Sequence, residues 1–133
     1  MKKKIYILLV SFFLVLMSFN KSFCSDRKTS VKSMLSSATY TAATAYSSSF
    51  ELSEYTEGQI YIDVTTENGT STLDIIIQHS PDDSTWYTHT TITQITATGQ
   101  YSQAITNIGK YVRIKYTVGG TSYVFSIKGT FKN

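Results

Sequence analysis

The sequence predicts an all-β fold, an antiparallel β-sandwich of the jelly-roll kind with about seven to eight strands. Three observations lead to this prediction. From residue 50 onward β-branched and aromatic residues dominate, and these favour strands. Turn-forming residues recur about every ten residues, a spacing typical of sandwiches and barrels. Between the turns, apolar and polar residues alternate as they do in strands with one buried face.

Residues 1–24 have the layout of a secretory signal peptide. Lys2–Lys4 precede the apolar run Ile5–Met17, and a more polar stretch with small residues follows. The apolar run is shorter than the about 20 residues that a membrane span requires. We therefore expect a secreted protein, possibly cell-surface associated, with no stable membrane span in its mature part.

Small residues before the bond after Cys24 favour cleavage there, because Ser22 and Cys24 fit the usual peptidase pocket. The alternative is a lipoprotein with a lipidated Cys24, although Lys21 and Phe23 fit a lipobox poorly. Cys24 is the only cysteine. The mature domain must therefore be held by its core and its β-ladders, without disulfides.

The net charge of +3 comes from the leader. Four of the 12 Lys and Arg precede residue 25, whereas all 9 Asp and Glu follow it, which leaves eight basic against nine acidic residues and a net charge of −1. A protein that binds nucleic acid through phosphate contacts needs a clustered basic face. We therefore expect no nucleic-acid partner.

The region 25–49 is rich in Ser, Thr and Ala, and no helical or strand period runs through it. We interpret it as an extended N-terminal segment that precedes a β-sandwich domain at 50–133. Because it offers few apolar residues, we expect residues 27–49 to be dispensable for folding but necessary for assembly.

The sandwich domain reads as a series of strands and turns. A short strand at 47–53 is followed by strands at 58–67 and 71–80, with the Asn68-Gly69 turn predicting a hairpin between them. The segment 80–84 is a second turn, in which Pro81 presets φ and Asp side chains cap N–H groups.

Further strands are expected at 85–95, at 100–108 as a weaker edge strand, and at 110–118. Gly119-Gly120 then predicts a second tight hairpin before the last strand. The inward positions of these strands form the predicted core, with Trp86 sealing its end: Ile60, Ile62, Val64, Leu73, Ile75, Ile77, Trp86, Val112, Ile114, Phe125 and Ile127.

Three segments, Thr72–Trp86, Ile108–Tyr116 and Gly119–Ser122, together resemble a group of short β-sandwich proteins encoded by tailed phages and prophages. The resemblance covers residues 35–132 and implies a virion or appendage component. Those proteins lack a signal peptide, so a leader here moves the module to the cell exterior. A weaker resemblance connects the Ser-Pro-Asp turn and its Trp to discoidin-type jelly rolls, where the motif is mainly scaffold.

No residue pattern predicts catalysis, a metal site or a cofactor. Asp74, Asp82 and Asp83 lack the spacing of a calcium loop, so we interpret them as turn-capping residues. His79 and His89 lack the further ligands of a zinc site. Without a nucleophile elbow or an acid pair, a small secreted hydrolase is improbable, and we expect no enzyme.

The ten tyrosines are the best candidates for a binding surface, because several fall on strand faces opposite the core. Tyrosine offers a large contact area and a hydroxyl at low entropic cost; the alternative is packing between neighbouring strands. The assembly or binding candidates are Tyr40, Tyr46, Tyr61, Ile76, Tyr87, Ile95 and Tyr111.

Export and the lack of catalytic chemistry favour a structural subunit of an extracellular filament, pilus-like fibre or surface layer. Its partner is then another copy of itself, bound by sandwich packing and possibly by addition of the N-terminal segment to a neighbour's sheet. The alternative is a secreted adhesion module for surface glycans, in which Trp86 and Tyr87 contact the ligand.

Overall fold

A computed structural model describes residues 27–133, which contain seven β-strands and no helix. The signal-peptide prediction lies outside these residues. Within them no helix has the length and apolarity needed to cross a membrane. The strands are β1 (Thr29–Tyr46), β2 (Phe50–Glu51), β3 (Glu57–Glu67), β4 (Thr72–Ser80), β5 (Tyr87–Ile95), β6 (Gly99–Thr106) and β7 (Tyr111–Lys132).

The long strand β7 organises the sandwich. Its first part, 111–119, pairs with β4, and its last part, 123–132, pairs with β3. The strand order is β5-β4-β7-β3-β6, and every pairing is antiparallel. We call β5, β4 and the first part of β7 the β4 layer, and β6, β3 and the last part of β7 the β3 layer. The all-β antiparallel prediction is confirmed.

The Gly119-Gly120 pair does not close a hairpin; it lies within β7, where the strand passes from one layer to the other. Gly120 has a φ of 80°. Opposite β1, Thr41 pairs with Ser122 but Ala43 pairs with Val118, so β7 carries extra residues at the bend. The bulge shifts the inward positions from even to odd numbers, which lets both parts of β7 face one core.

The hairpin expected at Asn68-Gly69 is also absent, because β3 and β4 pair with β7 and not with each other. The turn instead crosses between the layers and locks the β7 bend. Ser71 Oγ accepts from Thr121 N at 3.0 Å, and Asn68 Nδ2 donates to Ser122 Oγ at 2.7 Å. Of the turns predicted to close hairpins, only the Pro81 turn between β4 and β5 joins two strands that pair with each other.

The structure differs from the expectation for the N-terminal segment. Residues 29–46 form β1, which pairs with β7 from Thr29–Lys132 to Tyr46–Lys115. Met34 is 4% exposed and belongs to the core. The sheet therefore includes chain that was placed before the domain, because main-chain pairing needs no apolar pattern on the added strand. Residues 27–49 cannot be assumed dispensable for folding.

One core lies between the two layers. Ten of the residues assigned to it from sequence are at most 2% exposed, Trp86 being the exception. Sequence reasoning did not assign the following buried residues to this cluster: Met34, Leu52, Ile95, Ile105, Tyr116, Val118, Tyr123 and Phe131.

Candidate functional site

The outer face of the β4 layer carries a stack of one cationic and two aromatic side chains. In β7 the inward residues Val112 and Ile114 are fully buried, so Arg113 between them points to the outer face. The guanidinium carbon of Arg113 is 4.3 Å from the ring centroid of Tyr46 and 4.1 Å from that of Trp86. Tyr46 comes from β1 and Trp86 from the chain just before β5. We call these three residues the arginine stack.

A hydrogen bond fixes the orientation of the guanidinium. Arg113 Nε donates to Gln78 Oε1 at 2.9 Å, and the two residues are register partners across β4 and β7. Cation–π contacts of this kind contribute about 0.5–1 kcal/mol at exposed sites and more when the cation is desolvated. Together, the rings and the amide hold the guanidinium plane in one position.

The charge of Arg113 is not neutralised by a carboxylate in the part of the chain that the structure describes. The ion pairs of residues 27–133 are Lys28–Glu54, Lys110–Glu51 and Lys132–Glu57. Lys115, two residues further on the same face of β7, is likewise outside these pairs. The face therefore presents two cations beside exposed aromatic surface.

Trp86 was expected to seal the core, but it is only partly buried and lies outside the core cluster. Tyr87 pairs with His79, whose neighbour on the outer face is Gln78. By alternation Trp86 takes the outer side, toward Gln78 and Arg113. The sequence alone could not fix this register, and a one-residue difference moves a side chain to the other face.

The turn before Trp86 is organised by Asp82. Its Oδ1 accepts from Thr85 N at 2.7 Å, Ser84 N at 3.0 Å and Ser80 Oγ at 2.9 Å. These bonds, the two backbone N–H groups first, hold the pKa of the Asp82 carboxyl well below its ordinary range. The turn-capping interpretation of Asp82 agrees with this geometry, and the fixed turn delivers Trp86 to Arg113.

Three other predicted surface tyrosines or neighbours keep an outward position. Tyr61, 49% exposed, lies on the outer face of the β3 layer between two shallow depressions of ≈ 450 and ≈ 340 Å³. Tyr87, 55% exposed, stands at the end of the β4 layer. Ile76 and Tyr111 are half-buried, and Lys110 Nζ lies 5.2 Å from the Tyr111 ring centroid.

Two of the predicted surface residues are instead packed inside. Ile95 is 2% exposed because β5 turns its last residue into the core. Tyr40 packs against Phe125 and Tyr116, with ring centroids at 4.4 and 5.2 Å. Its hydroxyl donates to Ser36 O at 2.8 Å, so its polar end is already satisfied.

The two histidines meet at the open end of the core. Their ring centroids are 5.0 Å apart, and His79 Nδ1 accepts from Gly109 N at 3.2 Å. His89 Nε2 lies 2.7 Å from Thr106 O. Burial, and secondarily His89, lower the pKa of His79. Among residues 27–133 no group of three or more His, Cys, Asp or Glu is arranged to hold a metal ion.

These features define the class of the molecule: a two-layered antiparallel β-sandwich whose distinctive side-chain cluster lies on an outer sheet face. No protein-family model matches the sequence, and the comparison with curated proteins gives no match. Solved structures do match, and they show the fold.

The chain is similar to the PBSX exported protein XepA, with a TM-score of 0.61 and 12% identity over 77% of this chain and 36% of that chain. It is similar to the SPBc2 prophage-derived protein YomS, with a TM-score of 0.57 and 9% identity over 80% of this chain and 95% of that one.

A third similar structure is that of infectious bursal disease virus, Gx strain, with a TM-score of 0.57 and 10% identity over 80% of this chain and 33% of that chain. The chain thus spans about a third of XepA and of the viral chain but nearly all of YomS. Tripeptidyl peptidase 2 also contains a similar region, at 6% identity and 10% of its length. The neighbours named here are mostly phage and viral proteins, in agreement with the phage-type β fold inferred from sequence.

Proposed function

We propose that the protein is a secreted structural subunit that assembles with copies of itself into an extracellular filament, pilus-like fibre or surface layer. The observation that carries this proposal is β1, an 18-residue strand at the edge of the sheet. Within the described chain it pairs with β7 and with no other strand. Similarity to an exported prophage protein and to proteins of virus particles supports the proposal.

Assembly proceeds by exchange of β1 between copies. If β1 leaves its own β7 and pairs with β7 of a neighbour, the same main-chain hydrogen bonds form and Met34 is buried in the neighbour's core. The short segment 47–49, which has no strand structure, is the hinge. Exchange costs little because contacts are traded for identical ones. A head-to-tail exchange that does not close gives a fibre.

A cysteine pair can test the exchange directly. Thr44 and Thr117 are register partners whose hydroxyl oxygens are 2.9 Å apart, so Thr44→Cys with Thr117→Cys fits disulfide geometry. Oxidised as a dilute monomer, the mature variant carries a bond within one copy, and we expect it not to assemble. Oxidised after assembly, it carries bonds between copies, and we expect covalent ladders on a non-reducing gel.

A matched control pair lies between β3 and β6. Gln59 and Ala104 are register partners within one copy, so Gln59→Cys with Ala104→Cys should never link copies and should not block growth. Electron microscopy and gel analysis give the readouts. Polymers that form despite the Thr44–Thr117 bond, without links between copies, would disprove exchange, and dispersed monomers at high concentration would disprove assembly itself.

A secreted adhesion module for glycans is the second candidate. It is favoured by one observation, the partly exposed arginine stack on the outer face of the β4 layer. A glycan screen decides between the two, because a binding module recognises sugar as a monomer whereas a subunit needs only its own copies.

A further inference from the structure

We infer that the arginine stack is a binding site for the carboxylate or sulfate group of an acidic saccharide. The inference does not depend on assembly, because the site lies on a sheet face and β1 exchange uses an edge. It starts from the unusual state of Arg113, whose flat faces and Nε are all occupied within the protein.

The geometry leaves the guanidinium with one direction for an external partner. Tyr46 and Trp86 cover its faces, and Gln78 Oε1 takes the Nε hydrogen at 2.9 Å. The terminal nitrogens then present their N–H groups edge-on. A guanidinium edge matches the two oxygens of a carboxylate or sulfate, and its fixed orientation reduces the entropy lost on binding.

The surroundings of Arg113 favour an anion. Lys115 follows about 7 Å along the same face of the strand, in the register row of Ile76 and Tyr46. Neither cation belongs to an ion pair of the described residues. The acid on this face, Asp74, lies one row further, opposite Thr117, and accepts a hydrogen bond from Gln94 at 2.9 Å. The row of Arg113 therefore carries positive charge alone.

A saccharide fits this face better than a peptide chain does. The aromatic rings are presented on a flat sheet surface, and Tyr46 is 50% exposed. A sugar ring offers an apolar C–H face to such a ring while its acidic group reaches the guanidinium edge. Peptides that add to a sheet do so at an edge strand through main-chain bonds, whereas the arginine stack lies on a face.

The test uses the mature protein and three hexasaccharide probes: an oligogalacturonate, a heparin fragment and neutral maltohexaose. Calorimetric titration at low salt should show binding of at least one acidic probe and none of maltohexaose. Arg113→Gln should weaken that binding at least tenfold. Arg113→Lys keeps the charge but loses the fork, and should still weaken it several-fold.

Lys128→Gln is the charge-matched control, because Lys128 is exposed on the outer face of the β3 layer. It should change the affinity less than twofold. Equal losses in the Arg113 and Lys128 variants would overturn the inference in favour of unspecific charge attraction. Binding of maltohexaose, no binding of either acidic probe, or tighter binding of hexaglutamate at Arg113 would each overturn it as well. Thermal unfolding confirms that each variant is folded.

Discussion

Gly120 and Gly69 have nearly the same backbone conformation, with φ values of 80° and 75°, but very different surroundings. A Cβ added at Gly69 meets nothing within 4 Å, whereas one added at Gly120 lies 2.9 Å from both Cα and Oγ of Ser71. Alanine at either site pays for the left-handed backbone, about 1 kcal/mol. At Gly120 the new methyl must also displace backbone of the turn that locks the β7 bend, which adds about 1–3 kcal/mol.

We therefore expect Gly69→Ala to lower the free energy of unfolding by about 1 kcal/mol and Gly120→Ala by about 2–4 kcal/mol. Urea unfolding of the mature monomer, followed by circular dichroism, measures both, and the m-value should stay unchanged. If Gly120 were the tip of a free hairpin, as the sequence suggests, the two substitutions would cost the same. Equal losses would refute the bend and its contact with Ser71.

Two further predictions concern buried polar groups. The hydroxyl of Tyr123 is fully buried and shared between two carbonyl oxygens at 2.9 and 3.1 Å, so Tyr123→Phe should cost about 1–2 kcal/mol in chemical unfolding, and Tyr40→Phe, at a more exposed bond, less. The pKa of His79 is lowered in the fold, and its Nδ1 must stay unprotonated to accept from Gly109. Its contribution to stability is therefore complete above pH 6.5 and is lost as pH falls through the lowered pKa; His79→Gln should flatten the profile of unfolding free energy between pH 7.5 and 4.5, and an unchanged slope would contradict the assignment.

Core positions could be predicted where strands alternate strictly. Ile60, Ile62 and Val64, for example, are all at most 2% exposed, because a half-buried strand repeats every two residues. The arginine stack could not be predicted. Its members come from three segments, and their meeting depends on the register of β5 with β4 and of β1 with β7.

The sequence by itself determined the fold class, the antiparallel pairing and most of the core, because β-propensity, alternation and turn residues are local properties. Only the tertiary structure decided which strands pair. Asn68-Gly69 and Gly119-Gly120 each read as a hairpin, yet one crosses between layers and the other bends a continuous strand. A glycine pair permits a positive φ in either setting. The choice is made by long-range burial, which keeps both parts of β7 facing the same core.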